Sequence, residues 1–297
     1  QVCEVLDIPL RSVDLTDQYW EKVFKVFLEE CEKGRTPNPD IICNKEIKFR
    51  AFLDYSLEFG ASKIATGHYA QIKSTDNSFQ LLRGKDLNKD QSYFLYRLDQ
   101  FQFSKSIFPI GTLNKELVRK KANDLGFLNH NKKDSTGICF IGERNFRKFL
   151  KKYFDDQPGE ICSDKGTIIG EHKGLMYYTY GQRKGLGIGG GISTIDAPWY
   201  VSDKIPEENR LIVVQGHDHP DLYHSFLTAS NITWISGSSP DENDIITSKI
   251  RYRSKDSVCK IKSQSDSILV EFDTPQFAVT PGQSIVFYKG EICIGGG

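Results

Sequence analysis

The fold of this chain is most constrained by a change of pattern near Phe154, where alternating helices and strands give way to strands and turns. Upstream, apolar residues recur at helical spacing over 17–32, and a second helix is predicted over about 114–125. The run 62–66 is typical of a short buried strand. Helices that alternate with short apolar strands predict an α/β layer architecture.

Downstream of Phe154, glycine becomes dense, and short alternating runs from about Tyr223 predict an all-β unit, a small barrel. The 297 residues are enough for two domains, or three if some are small. We expect an α/β domain over 1–147, a small central domain over 148–222 and a C-terminal β-barrel over 223–297.

Composition narrows the class of protein. Lysine plus arginine equals aspartate plus glutamate, 39 against 39, so a nucleic-acid partner would need a local basic face. No apolar run approaches the ~20 residues that cross a bilayer. Seven scattered cysteines without a Cys/His cluster predict neither a structural zinc site nor a secreted disulfide framework. We therefore expect a cytoplasmic protein with no metal site of its own and no membrane partner.

Cys43 stands in the first of two unusual stretches, after a segment with two prolines. A helix is predicted to begin near Cys43 or Asn44, and the positive end of its dipole would stabilise a thiolate. Asp40 could accept a proton or serve as the N-cap. The alternative is a capped helix after a proline turn with an unreactive cysteine.

Cys139 stands in the second stretch, 134–144, between Gly137 and Gly142 and close to lysines and an arginine. Small residues leave room for a substrate, and nearby cations stabilise a thiolate. The alternative is a buried Ile-Cys-Phe-Ile strand, since free cysteine is among the most buried residues. Sequence alone does not show whether the two thiols meet.

Three other places combine polar groups. Lys89–Gln91 offers a cation, a carboxylate and an amide at a predicted helix start, where they could contact a phosphate-rich ligand or simply face solvent. Arg251–Arg253 places an aromatic ring between two cations. His68 follows Gly67 at the end of the predicted strand 62–66, the edge at which α/β folds bind ligands.

Five segments, in order along the chain, resemble the tRNA-specific 2-thiouridylases: Thr36–Phe49, Ala65–Ala70, Lys89–Leu95, Asp134–Arg144 and Thr280–Ser284. The resemblance implies that the first domain is an adenine-nucleotide α-hydrolase-like, Rossmann-like domain. It also implies an enzyme that uses ATP and Mg²⁺ to adenylate O2 of the wobble uridine, position 34, of tRNA and then replaces that oxygen with sulfur.

The resemblance further implies roles for individual residues. Cys139 resembles the thiol that bears a persulfide, and Cys43 resembles the partner nucleophile that can form a disulfide with it. Asp40 resembles a base catalyst, and Gly67 resembles an ATP contact. Positions that resemble tRNA contacts are Asn38, Pro39, Asp40, His68, Lys89, Asp90, Gln91, Arg251, Tyr252 and Gln283. The implied partners are the tRNA anticodon loop and an upstream persulfide sulfur carrier, and we expect a monomer.

One departure from the family concerns a Ser-Gly-Gly-Val-Asp-Ser-type loop that cradles pyrophosphate, a motif that this sequence lacks. Because Gln1 matches a point well inside the family's first domain, we expect that domain to be truncated at its N-terminus. This chain alone should then bind ATP poorly and should not thiolate tRNA. The alternatives are a non-catalytic tRNA-binding fragment and a thiol redox protein that cycles a Cys43–Cys139 disulfide.

Overall fold

The structure, a computed structural model, describes residues 1–132, 146–189, 197–241 and 243–297. Up to residue 132 the α-helices are α1 (Val2–Val5), α2 (Thr16–Tyr19), α3 (Lys25–Glu32), α4 (Pro39–Cys43), α5 (Phe52–Glu58), α6 (Gln100–Ser104) and α7 (Lys115–Asp124). The strands are β1 (Ile64–Ala65), β2 (Ala70–Ser74), β3 (Phe79–Arg83) and β4 (Ser106–Ile107). No helix in these ranges is long and apolar enough to cross a membrane.

Two long helices in this region are continuous but not uniform. A π-helical segment, Trp20–Phe24, joins α2 to α3, and a second one, Asn44–Ala51, joins α4 to α5. The predicted helices over 17–32 and 114–125 are therefore confirmed. The predicted strand over 62–66 is confirmed as β1, which pairs in parallel with β4. Helices packed against a parallel strand pair confirm the α/β character of the first domain.

The start of α4 differs from the prediction. The helix begins at Pro39, and the Asn38 side chain accepts a hydrogen bond from the Asp40 amide at 3.2 Å. Proline suits the first helical position, because its φ angle is already helical and its missing N–H would have no partner there. The prediction that a helix begins near Cys43 or Asn44 is wrong, and of the two roles considered for Asp40 the N-cap is excluded, because Asn38 is the cap. Cys43 is the last residue of α4, so it receives no stabilisation from a helix N-terminus.

The central region contains helix α8 (Phe146–Leu150) and a four-stranded sheet. Its strands are β5 (Gly159–Ser163), β6 (Ile168–His172), β7 (Trp199–Ile205) and β8 (Arg210–Gln215). They lie in the order β6-β5-β8-β7, with β5 and β8 parallel and the other pairs antiparallel. Ile161, Val201, Leu211 and Val213 are fully buried in its core.

The C-terminal region is all-β, as predicted. Its strands are β9 (Tyr223–Ser230), β10 (Thr233–Trp234), β11 (Ile246–Lys249), β12 (Ser257–Ser263), β13 (Ser267–Phe277), β14 (Val286–Lys289) and β15 (Ile292–Gly296). The β2–β3 hairpin also joins this sheet, which no pattern in the sequence indicated. It does so through β3 and β15, with Leu81 opposite Cys293, and the order is β2-β3-β15-β14-β11-β12-β13-β9.

Candidate functional site

A cavity of about 960 Å³ lies between α4, α7, the loop that follows β1 and the segment around Lys89. Six of the residues to which the family resemblance assigns a role line it: Asp40, Gly67, His68, Lys89, Gln91 and Tyr252. These residues come from both ends of the chain. The fold therefore brings them to one site, which we call the central cavity.

The wall of the central cavity is strongly basic. Its cationic side chains are Lys48, Lys89, Lys115, Arg119, Lys132 and Arg253. Asp40 is the one acidic residue among the described residues of the wall. Lys115 and Arg119 are four residues apart on α7, a spacing that places both on one face of the helix. A concave surface with this charge favours an anionic ligand such as a phosphate group.

Aromatic rings form another part of the wall. The ring centroids of Phe94 and Tyr252 are 4.5 Å apart, and Tyr93 lies 6.1 Å from Tyr252 behind them. Phe94 and Tyr252 are only partly buried. Exposed aromatic faces beside cations are the groups on which proteins stack unpaired nucleic-acid bases.

Gly67 follows β1 at its carboxyl end, and a Cβ atom placed there would meet nothing within 4 Å. The glycine thus leaves the backbone open to an approaching group, which fits contact with a nucleotide phosphate. Within the described ranges, no group of three His, Cys, Asp or Glu residues could hold a metal ion. A Mg²⁺ ion at this wall would therefore depend on the phosphates of a bound nucleotide and on water for most of its ligands.

His68 lies in the cavity wall but is only 8% exposed. Its Nδ1 is 2.8 Å from the hydroxyl of Thr66, and its ring contacts the rings of Phe49 and Phe108. Burial, with the nearby positive charge of Lys48, lowers the pKa of His68 to about 3. The imidazole is therefore neutral at physiological pH and offers a hydrogen bond or a ring face to a ligand, not a positive charge.

Gln91 supports the loop that carries Gly67 and His68. Its side-chain oxygen accepts a hydrogen bond from the backbone N–H of Tyr69 at 3.0 Å. The backbone N–H of Gln91 donates to the backbone carbonyl of Tyr69 at 2.8 Å. The amide oxygen of Gln91 is thus engaged within the protein. Its amide nitrogen is the group with which it could contact RNA.

Asp90 does not lie on the cavity. It is 3% exposed, and its carboxylate accepts hydrogen bonds from the Gly84 amide and from the amide and hydroxyl of Ser92. Arg83 lies 3.8 Å from the same carboxylate. Since these internal contacts occupy both carboxylate oxygens, the structure gives Asp90 a role in positioning the Lys89–Gln91 segment. Its direct contact with tRNA stays a prediction.

Arg251 is also engaged inside the protein. Its Nη2 donates to the Tyr180 carbonyl at 3.0 Å, to the Ala278 carbonyl at 2.7 Å and to the Thr280 hydroxyl at 2.6 Å. These bonds tie the central region to the C-terminal barrel. Arg251 therefore stabilises the position of its neighbour Tyr252 on the cavity wall.

The loop before α4 is held by a turn of the barrel. Gln283 donates a hydrogen bond from its side chain to the Thr36 carbonyl, and the Thr36 amide donates to the Pro281 carbonyl at 3.0 Å. Asn38 and Gln283 line a neighbouring groove of about 670 Å³ and not the central cavity. Pro39 is buried. These three predicted tRNA contacts therefore do not line the central cavity, unlike the six predicted site residues named above.

Cys43 lies beneath the cavity wall with no exposed surface. It belongs to an apolar cluster with Val23, Phe27 and Ile47. Burial among apolar side chains disfavours a thiolate at Cys43, and chemistry at its sulfur requires a local movement of α4. Cys139 and the surrounding segment 134–144 lie outside the described residues, so the distance between the two thiols is not given. The six cysteines of the described residues are free thiols.

Sequence reasoning missed several residues of the site: Asn44, Lys48, Lys115 and Arg119. Lys115 and Arg119 carried a usable signal, because four-residue spacing on a predicted helix implies a shared face. Asn44 carried none, since nothing in the sequence shows which polar side chain the fold will bury.

Three family profiles match consecutive parts of this chain. The profile described as "tRNA methyl transferase HUP domain" matches residues 1–143, and "tRNA methyl transferase PRC-barrel domain" matches 147–215. The third, "Aminomethyltransferase beta-barrel domain", matches 224–297. The HUP match confirms a Rossmann-like first domain, and the other two agree with a small central domain and a C-terminal barrel.

Curated relatives are similar over the whole chain. The tRNA-specific 2-thiouridylase MnmA of Nitrosomonas eutropha is 56% identical over 297 residues, which cover 100% of this chain and 82% of that protein. The protein of the same name from Nitrosomonas europaea is 56% identical with the same coverage. That from Shigella dysenteriae is 55% identical over 298 residues, covering 100% of this chain and 81% of the relative. On this evidence, the chain belongs to the tRNA-specific 2-thiouridylase family.

Proposed function

We propose that this protein is a tRNA-uridine 2-sulfurtransferase that thiolates the wobble uridine in an ATP-dependent reaction. The observation that carries the proposal is the central cavity, where a basic wall, a partly exposed aromatic pair and Asp40 line one space. Cations suit the phosphates of ATP and of an anticodon loop, and the rings suit a base that has left its stack.

The reaction requires two activations. A carbonyl oxygen is a poor leaving group, so O2 of the uracil first attacks the α-phosphate of ATP and displaces pyrophosphate. A persulfide is a strong nucleophile and can then add at C2, where the carbon–oxygen bond breaks and AMP leaves. In the proposed scheme, Cys139 bears that persulfide, which a sulfur-carrier protein supplies.

Cys43 completes the sulfur transfer in this scheme. After the addition, the transferred sulfur joins Sγ of Cys139 to C2 of the base. The thiolate of Cys43 attacks Sγ of Cys139, and the bond between Sγ and the transferred sulfur breaks. A Cys43–Cys139 disulfide forms, and the base keeps the transferred sulfur. A thiol reductant must then restore both cysteines. The burial of Cys43 is compatible with this role if α4 can shift. Cys43 directly precedes the π-helical segment Asn44–Ala51, and such irregular turns are frequent at functional sites.

Asp40 is proposed as the base. It lies in the first turn of α4 and is the acidic member of the cavity wall among the described residues. Activation of O2 removes the proton of the neighbouring ring nitrogen N3. A carboxylate in this position can accept that proton directly or through a water molecule.

The test is nucleoside mass spectrometry of tRNA after incubation with ATP, Mg²⁺ and a persulfide donor, using a form of the protein that carries a pyrophosphate-binding loop. We expect 2-thiouridine with the unaltered protein and none with Cys139→Ser, although this variant should still bind tRNA. Cys3→Ser is the matched control, because Cys3 lies in α1 outside the cavity wall. Unchanged thiolation by Cys139→Ser would contradict the proposal.

The burial of Cys43 favours a second candidate, a tRNA-binding protein without catalysis, because a thiol with no exposed surface cannot attack a substrate unless the protein moves. Such a protein would bind tRNA through the same basic wall. It would release no AMP, and the Cys139→Ser substitution would change none of its measurable properties.

A further inference from the structure

Asn44 is a residue of the central cavity whose hydrogen bonding is incomplete. It is 2% exposed and follows Cys43 directly. Its Nδ2 donates to the Phe94 carbonyl at 3.1 Å. Its Oδ1 is buried and has no hydrogen-bond partner among the described residues. The orientation of the amide is fixed, because a flipped amide would set its oxygen against the Phe94 carbonyl oxygen.

An unpaired buried acceptor is unusual in a folded protein, since nearly all such atoms have partners. Asn44 also lies close to the groups proposed to bind and activate the target base. It lines the same cavity as Asp40, and its bond to Phe94 ties it to the segment that carries one ring of the aromatic pair. An acceptor held in this way beside a stacking surface is suited to a planar ligand that carries an N–H donor.

We infer that Oδ1 of Asn44 accepts a hydrogen bond from the ring N3–H of the target uracil and so selects uridine against cytidine. The inference rests on the proposed function. Uracil carries one ring N–H, between its two carbonyl groups, whereas N3 of cytosine carries no hydrogen and would oppose one lone pair to another. Because N3 is bonded to C2, this contact also fixes the carbonyl that is to be replaced.

The contact belongs to recognition of the base before it is activated. Adenylation of O2 requires N3 to lose its proton, so the bond is present with the free base and absent from the adenylated intermediate. The amide oxygen of Asn44 is not basic enough to take that proton. Asn44 is therefore a specificity-determining residue, and Asp40 remains the proposed base.

The test compares anticodon stem–loop RNAs that carry uridine, N3-methyluridine or cytidine at the target position. Dissociation constants are measured for the unaltered protein, for Asn44→Ala and for Asn88→Ala. Asn88→Ala is the matched control, because it deletes the same side chain from the same cavity wall. We expect the unaltered protein and Asn88→Ala to prefer uridine over the other two by roughly tenfold, the size of one lost hydrogen bond in a buried site.

In Asn44→Ala this preference should fall below about twofold, because the partner of N3–H is gone and a methyl group now has room. Asn44→Leu, which keeps the branched shape of the side chain but has no acceptor, replaces it if the alanine variant does not fold. Equal binding of all three RNAs by the unaltered protein would overturn the inference, as would an unchanged preference in the folded Asn44 variant. Failure of the proposed function would look different: the unaltered protein would bind none of the RNAs.

Discussion

The guanidinium carbon of Arg83 lies 3.6 Å from the ring centroid of Tyr288, which fastens the β2–β3 hairpin to strand β14 of the barrel. The same guanidinium pairs with Asp256 at 2.8 Å and lies 3.8 Å from Asp90. Arg83 is 5% exposed. One buried cation therefore connects the hairpin, the barrel and the segment that carries Lys89 and Gln91 into the cavity.

Replacing Arg83 with methionine should be strongly destabilising. The substitution keeps much of the side-chain volume but leaves the buried carboxylate of Asp90 without its counter-charge. We expect the free energy of unfolding in urea to fall by about 3–5 kcal/mol. The control is Arg210→Met, because Arg210 forms exposed ion pairs with Glu160 and Glu208 and should lose less than about 1 kcal/mol. Equal losses in both variants would show that the Arg83 cluster contributes little.

The cap of α4 can be tested by Asn38→Ala. The substitution removes the oxygen that accepts the Asp40 amide, and it should lower the free energy of unfolding by about 1 kcal/mol. Asn114 is the matched control, since it occupies the N-cap position of α7 but makes no side-chain capping bond. Thermal denaturation should therefore show a lower Tm for Asn38→Ala than for Asn114→Ala. The reverse order would contradict the assigned cap.

His68 should make stability depend on pH in the acidic range. Its pKa is about 3 in the folded protein, against about 6.5 in the unfolded chain. Between these values the unfolded chain binds a proton that the folded protein does not, so stability is full above pH 6.5 and is lost as pH falls towards 3. The contribution approaches about 1.4 kcal/mol per pH unit.

Urea denaturation of the protein and of His68→Gln between pH 4 and 7 isolates this effect. The unaltered protein should lose stability more steeply on acidification than His68→Gln does. His130→Gln is the control, because His130 also lines the cavity but is only partly buried, whereas His68 is buried. Parallel curves for the protein and His68→Gln would mean that His68 is not kept neutral by the fold.

Lys89 should contribute an electrostatic contact with tRNA. Lys89→Gln is expected to weaken binding at low salt and to reduce the slope of log affinity against log salt concentration by about 0.7–0.9, the effect of one phosphate contact. Lys262→Gln serves as the control, because Lys262 pairs with Glu271 on the barrel surface outside the cavity. Filter binding at several salt concentrations measures the slopes, and identical slopes for the two variants would exclude Lys89 from the RNA interface.

The parts of the fold that could be predicted are those that depend on the spacing of residues close together in the sequence. The apolar repeat from Tyr19 to Cys31 and the stop signal at Gly126 are properties of neighbouring residues, and the helices follow them. The start of α4 was missed because Asn38 and Asp40 are both good caps, and only geometry shows which one bonds. The hairpin was missed because its partner, β15, is about 200 residues away along the chain.

The candidate site was predicted mainly through the resemblance to a family, and residue type alone could not separate ligand contacts from internal ones. Arg251 and Lys89 are both cations near an aromatic residue, yet Arg251 donates to carbonyl groups of the protein while Lys89 lines the cavity. The burial of Cys43 likewise depends on Val23 and Phe27, which only tertiary packing brings to it.

The pairing of β3 with β15 has a consequence for protein engineering. A barrel excised at residue 223 would lose the hairpin and expose the backbone N–H and C=O groups of β15 that pair with β3, at Ile292 and Cys293. Open strands of this kind recruit other chains and promote aggregation. Chimeras between relatives should therefore transfer residues 70–83 together with the barrel, because these two stretches are far apart in the sequence but form a single sheet.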